Sequence, residues 1–447
     1  MDLDEREFQK LAGMIYAREW RLTGQKKRAK AVRRKLELKR RDEKRMPLSK
    51  KVLNYKYSEC PNLASIRPLR SKEWRPPAKR KRNASDVDCA NFSFIDNPVE
   101  TMRTFEMIVQ AECRSRGFQI NFEDRYVLDI GPFLLLGALR EKMTPVILGG
   151  KISQSTLKVL DAVQLLEFLQ MKSFGKIRSA NVWPLPMRHR HGGGRSSTTA
   201  NIAVQASRAE RVGDQTVSSV NEWLRNLDPP DELTQYGATN LKTVVTEALN
   251  NAERHGRFGG DGEWVTAGFM ARRRDENGEI VHVCNIGLMN LGRPMSETIF
   301  EAPTKVLDQV DRYVGRHSSI GLSKETLSTV FALQDGISCV DQSGERPTGG
   351  TGMMDIAEFA NGVGEPHGGE FDTRVAIVSG RSYIRFSEPY NEGVSDEGRR
   401  LQWFNAENDA EKPPSHEHVL DMPSAFPGTL VTLRFVIDRR DEESGDE

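Results

Sequence analysis

The chain has 447 residues, 37% hydrophobic and 29% charged, a balance that supports two or three domains with their own cores and excludes a fibrous or wholly disordered chain. Its longest apolar run, Val127 to Leu139, is too short to cross a membrane and contains Asp129; no basic-then-apolar leader opens the sequence, so a cytoplasmic location without a membrane partner is expected. The formal net charge of +2 hides an asymmetry, because residues 1 to 83 carry 27 Lys+Arg against 10 Asp+Glu and everything after them is net acidic.

Residues 1 to 88 read as a basic arm. Phe8, Leu11, Met14 and Ile15 mark an apolar helical stripe, residues 26 to 45 are rich in Lys, Arg, Ala, Leu and Glu, and a Pro-containing stretch ends in the run Lys79 to Arg82. With Trp20, Tyr55, Tyr57 and Trp74 interleaved, residues 1 to 83 suit a nucleic-acid backbone, and equally a solvated arm with no specific partner. The cysteines Cys60, Cys89, Cys113, Cys284 and Cys339 lie far apart with no C-x-x-C pair, so free thiols are expected.

Residues 89 to 175 form a small α/β unit. The spacing predicts a helix over 99–116 and a strand at Phe118 to Asp124. A buried strand then turns at Asp129-Ile130-Gly131-Pro132 into an apolar helix, and a short strand ending in Gly149-Gly150 leads to a last helix over 155–170. This order of elements resembles the STAS domain of sulfate-transporter and anti-sigma-antagonist regulators. The resemblance implies a module that docks a protein partner. The D-I-G-P turn lacks the hydroxyl on which the antagonists are phosphorylated, which points away from a phospho-switch.

Residues 176 to 205, which include Arg188-His189-Arg190-His191 and a Gly/Ser run, read as a flexible linker in which both histidines are solvated. Past a short helix and Pro229-Pro230 comes LKTVVTEALNNAERHG, residues 241 to 256. Leu241, Val244, Val245, Ala248, Leu249 and Ala252 make one buried helical face, and Glu247, Asn251 and His255, each four apart, make a polar stripe beside it. A hairpin around Asn277-Gly278 follows, its second strand carrying Asn285 and ending at Gly287. Two helical stretches precede the Gly-rich run Gly349-Gly350-Thr351-Gly352, which opens a further helix. Amides at such a helix start form an anion site. The chain closes with a hairpin around Ser379-Gly380, a polar insertion, the strand GTLVTLRFVID, which carries Thr429, and an acidic tail over residues 439 to 447.

Helix with E-x-x-x-N-A-x-x-H-G, hairpin ending in N-x-G, helical lid, G-x-G helix and final G-T strand together resemble the GHKL ATPases. That family includes gyrase-type topoisomerases, heat-shock chaperones, mismatch-repair ATPases, histidine kinases and anti-sigma serine kinases. The similarity spans residues 206 to 438, and TEALNNAERHG is nearest the anti-sigma-kinase form. It implies an α+β fold class: a GHKL (Bergerat) α/β sandwich joined to the STAS-like unit and the basic helical arm. It also implies ATP and Mg2+ as cofactors. Glu247 would orient or deprotonate the attacking group, Asn251 would hold the magnesium, and His255 would continue the stripe. Gly349, Gly350, Thr351 and Gly352 would cradle the phosphates under a lid made by residues 288 to 348. Thr429 would reach the adenine, and Asn285 with Gly287 would stand where the family has its adenine-reading D-x-G. The implied function is that of an ATP-binding regulator, a slow ATPase whose lid closure controls partner engagement, and a homodimer is compatible with it. A serine kinase of the anti-sigma type and a non-catalytic nucleic-acid-binding regulator are the alternatives.

Overall fold

The computed structural model describes residues 55 to 437 apart from 56, 81–85, 172–180, 191–208, 228–229, 257–261, 275–277, 279, 336, 338–373, 388–393 and 397–398. Two compact units divide the chain, Met1–Glu59 and Cys60–Glu447; nearly all of the first, and with it most of the basic arm, lies outside the described residues. The second unit has an α+β fold. No helix among the described residues is long and apolar enough to cross a membrane.

The second unit begins earlier than the sequence pattern suggests, at Cys60 rather than near residue 89. Helices α1 (Pro61–Ile66) and α2 (Arg70–Glu73) pack on α3 (Pro98–Arg114), and the cause is a buried charge. Glu112 of α3 is fully buried. It accepts hydrogen bonds from Arg70 Nε (3.3 Å), Trp74 Nε1 (3.3 Å) and the Thr144 amide (3.1 Å), and Arg80 Nη2 lies 3.7 Å away. A buried carboxylate without such partners is costly. Arg70, Trp74 and Arg80 are thus committed to the interior and do not face a polyanion.

Strands β1 (Val87–Cys89), β2 (Phe118–Phe122) and β3 (Ile147–Gly149) make a three-stranded parallel sheet in that order. Helices α4 (Gly131–Arg140), α5 (Gln154–Ala162) and α6 (Leu165–Phe168) complete this layer. Tyr126 to Ile130, expected as a strand, is irregular, and the last predicted helix breaks at Gln164, whose φ is +63°.

A seven-stranded antiparallel sheet is the centre of the unit. It comprises β4 (Val182–Arg190), β5 (Glu263–Arg274), β6 (Ile280–Leu291), β7 (Arg374–Ser379), β8 (Ser382–Phe386), β11 (Val419–Asp421) and β12 (Gly428–Ile437), in the order β11-β8-β7-β12-β6-β5-β4. Strands β9 (Val394–Asp396) and β10 (Arg399–Leu401) form a separate pair. The hairpins β5–β6 and β7–β8 fall where Asn-Gly and Ser-Gly predict them, with Gly278 and Gly380 at positive φ. Strand β4 lies within the predicted linker. Its His189 Nε2 is 2.9 Å from Glu263 Oε1 and its main chain pairs with β5, so this histidine is held in the sheet edge and not solvated in a loop.

Both faces of the seven-stranded sheet are covered. On the back face, Val265, Ala267, Phe269, Met289, Ala376, Val378 and Leu430 share one core with α3, α4 and the parallel sheet. Hence the units expected at 89–175 and 206–438 are two layers around a common core. On the front face, Trp264, Met270, Ile286, Leu288, Ile377, Val431 and Leu433 pack with α7 (Ala209–Arg225), α8 (Gln235–His255), α9 (Met295–Thr298), α10 (Thr304–His317) and α11 (Lys324–Ala332).

Candidate functional site

Helix α8 starts at Thr234, whose hydroxyl accepts from the Gly237 amide, and ends at Gly256. The predicted buried face is present: Leu241, Val244, Val245, Leu249 and Ala252 are all core residues. α7 packs against its Lys242–Thr246 flank, where a Cβ on Gly213 would lie 2.7 Å from Thr246 Oγ1. At 100° per residue, Glu247 and Asn251 project from the opposite flank, towards the β6–β12 half of the sheet. Both are half-buried. The side chain of His255 and the whole Gly-rich run, Gly349, Gly350, Thr351 and Gly352, lie outside the described residues.

Below the C-terminal end of α8, five residues form a cross-strand row on the front face. The register pairs Arg190 of β4 with Trp264 of β5, Trp264 with Asn290 of β6, Asn290 with Thr429 of β12, and Thr429 with Ser379 of β7. Most of the row is already committed. Trp264 Nε1 donates to Glu253 Oε1 of α8 (2.9 Å), Arg190 pairs with the same carboxylate (2.9 Å), and Thr429 Oγ1 and Ser379 Oγ share a 2.8 Å hydrogen bond. Asn290 differs. It is only 8% exposed, and its carboxamide has no hydrogen-bond partner among the described residues. Its polar atoms are not among the buried unsatisfied ones, so they reach solvent, where water or the polar edge of a ligand meets them.

Two glycines let the helix end approach this carboxamide. A Cβ on Gly256 would sit 3.0 Å from Asn290 Nδ2 and 2.5 Å from the Ala252 oxygen. Gly292, with φ +148°, brings its backbone so close that a Cβ would fall 1.9 Å from the Gly256 oxygen, while the Arg293 amide donates to that same oxygen at 3.2 Å.

Asn285 and Gly287 are not part of this assembly. Strand β6 continues to Leu291, four residues past the predicted end, so both lie within the strand and, two apart, share its back face. Asn285 is fully buried there. Its Oδ1 accepts from the Ile130 amide (3.0 Å) and its Nδ2 donates to the Leu128 carbonyl (3.1 Å), so the carboxamide caps the D-I-G-P turn. Gly287 is the point at which α4 crosses the sheet, since a Cβ would lie 2.8 Å from both Ile130 Cγ2 and Leu134 Cδ1. Thr429, in contrast, stands on the same face as α8, beside Asn290.

The turn is pinned from other directions as well. Asp129 is fully buried and accepts from the Gly131 amide (2.8 Å), the Phe94 amide (2.8 Å) and Thr432 Oγ1 (2.6 Å); desolvation nevertheless raises its pKa above the usual carboxylate value. Asp96 receives both terminal nitrogens of Arg434, at 2.7 and 2.8 Å, and Arg374 Nη1 at 2.9 Å. Burial pushes the Asp96 carboxyl upward, but the arginines and Ser93 outweigh it and hold the group below its ordinary value. Among the described cysteines, Cys60, Cys89, Cys113 and Cys284 are free and buried, and burial raises Cys89 and Cys113 to about 12, which leaves them as inert packing.

Sequence reasoning missed Asn290. The signal was available, because N-x-G occurs twice on β6, at Asn285-Ile286-Gly287 and at Asn290-Leu291-Gly292, and an offset of five residues puts the two asparagines on opposite faces. Comparison of the chain with protein-family models, curated proteins and solved structures finds no match.

Proposed function

We propose that the chain is an ATP-binding regulatory protein of the GHKL type, a slow magnesium-dependent ATPase with a STAS-like layer fixed to the back of its sheet. The observation that carries this reading is Asn290 at the end of β6, 8% exposed and with no side-chain hydrogen-bond partner among the described residues, beneath the terminus of the helix that presents Glu247 and Asn251. In this reading Asn290 and Gly292 take the role first given to Asn285 and Gly287. The Asn290 carboxamide carries an acceptor oxygen and a two-donor nitrogen, a set that matches the polar edge of a nucleotide base.

Bound magnesium would neutralise phosphate charge, which is most of what phosphoryl transfer needs. The residues do the rest. Asn251 offers its carboxamide oxygen to the cation, a hard ligand of the kind magnesium takes in small number. Glu247, one turn earlier on the same stripe, orients a water and accepts its proton. Thr429, held by Ser379, lines the base end next to Asn290. Among the described residues no group of three or more His, Cys, Asp or Glu could hold a metal, and a cation shared between Asn251 and phosphates does not require one. A protein partner fits the outer edge of the STAS-like layer, where β3 is the terminal strand and Leu148 is 74% exposed.

Titration of the purified chain with ATP, ADP and GTP, with and without magnesium, tests the reading. Saturable, magnesium-enhanced binding is expected, and Glu247→Ala should abolish ATP turnover while leaving binding in place. Absence of binding by every nucleotide refutes the site, whereas unchanged turnover in Glu247→Ala refutes only the catalytic role.

A further inference from the structure

Asn290 differs chemically from the carboxylate that the proposed site class places against adenine, and that difference determines which bases the site accepts. An ionised carboxylate only accepts hydrogen bonds, whereas a carboxamide carries an acceptor oxygen and a two-donor nitrogen side by side. Rotation about its last torsion, which is broad and roughly two-fold, exchanges the two. Neighbouring side chains do not fix that choice: Trp264 Nε1 is committed to Glu253, Thr429 Oγ1 to Ser379, and the Asn290 carboxamide has no partner among the described residues.

We propose that Asn290 makes this a purine-nucleotide site that takes both ATP and GTP, a statement that rests on the nucleotide-binding reading above. In one rotamer Oδ1 accepts from the adenine amino group and Nδ2 donates to adenine N1. In the other, Nδ2 donates to guanine O6 and Oδ1 accepts from guanine N1–H. Each pairing uses one donor and one acceptor of the amide. A carboxylate in the same place has no donor, so it loses the bond to adenine N1 and the bond to guanine O6 alike.

The test is equilibrium titration of the full chain with ATP and with GTP in magnesium, for the wild type, Asn290→Asp and Asn290→Ala, with thermal melts to verify folding. For the wild type, affinities for ATP and GTP within about tenfold of each other are expected. Asn290→Asp removes the donor that both pairings use and should weaken both nucleotides by about tenfold, the scale of one hydrogen bond. Asn290→Ala should weaken both nucleotides together. Tight ATP binding with no measurable GTP binding by the wild type overturns the inference and leaves the ATP reading standing, as does a folded Asn290→Asp that binds both nucleotides as tightly as the wild type. No binding of either nucleotide overturns both.

Discussion

Asn285→Ala separates an asparagine that holds the layers together from one that meets a ligand. The substitution removes the acceptor for the Ile130 amide and the donor to the Leu128 carbonyl at a fully buried position. Each backbone group left unpaired costs about 1–3 kcal/mol, so the loss totals about 2–6 kcal/mol. Unfolding entropy near 2.1 cal/mol/K per residue gives about 0.8 kcal/mol/K for a unit of this length, and the melting midpoint should fall by about 3–8 °C. Differential scanning fluorimetry without nucleotide reads that shift, and an ATP titration well below the midpoint reads the site. The expected result is a lower midpoint with ATP affinity within about twofold of wild type. An unchanged midpoint together with lost ATP affinity would refute the reasoning and return Asn285 to the base-reading role.

Gly256→Ala brings a methyl group against the Ala252 oxygen and Asn290 Nδ2, at 2.5 and 3.0 Å, so one or both must shift. A destabilisation of about 1–3 kcal/mol is expected in urea unfolding, accompanied by weaker nucleotide binding. Asp96→Asn leaves Arg434 buried beside a neutral group and should cost about 3 kcal/mol at pH 7. Because the folded-state pKa of Asp96 is depressed, its stabilisation is complete above the unfolded carboxyl value of about 3.9 and disappears as pH falls through the folded value. The gap between wild type and Asp96→Asn in urea midpoints should therefore close in acid, and a gap independent of pH would mean that the ion pair contributes nothing.

The period-3.6 pattern of residues 241 to 256 was enough to specify α8 and its buried face, and the Asn-Gly and Ser-Gly turns were enough to place two hairpins. What the sequence concealed follows from the burial of both sheet faces. Strand β6 reads Cys284, Asn285, Ile286, Gly287, Leu288, Met289, Asn290, all buried or nearly so, and without a solvated face nothing in the pattern tells which asparagine points where. Strand β4 was hidden for a related reason. Its Pro, Arg and His residues match an edge strand as poorly as they match a linker, and only pairing with β5 distinguishes them. Arg70 and Arg80 had looked like arm charges because Glu112, which draws them inward, lies more than thirty residues downstream.

The register of β6 and β12 bears on how such a site would work. Asn285 pairs with Arg434, Gly287 with Thr432, and Asn290 with Thr429. On the back face, Asn285, Thr432 and Arg434 are each hydrogen-bonded to the Leu128–Asp129 turn or to Asp96; on the front face, the same two strands carry Asn290 and Thr429. The floor of the proposed site is thus set by contacts on the far side of its own sheet. Any relative movement of the two layers would break buried hydrogen bonds and the bidentate Asp96–Arg434 pair together, a cost well above the few kcal/mol that differential ligand binding supplies. In the proposed reading, closure on a nucleotide would be confined to the front layer, where the described helices after Leu291 reach the sheet chiefly through α11. On the same proposal, a partner on the parallel-sheet layer would sense the nucleotide through strain in β6 and β12 rather than through rotation of a hinged domain.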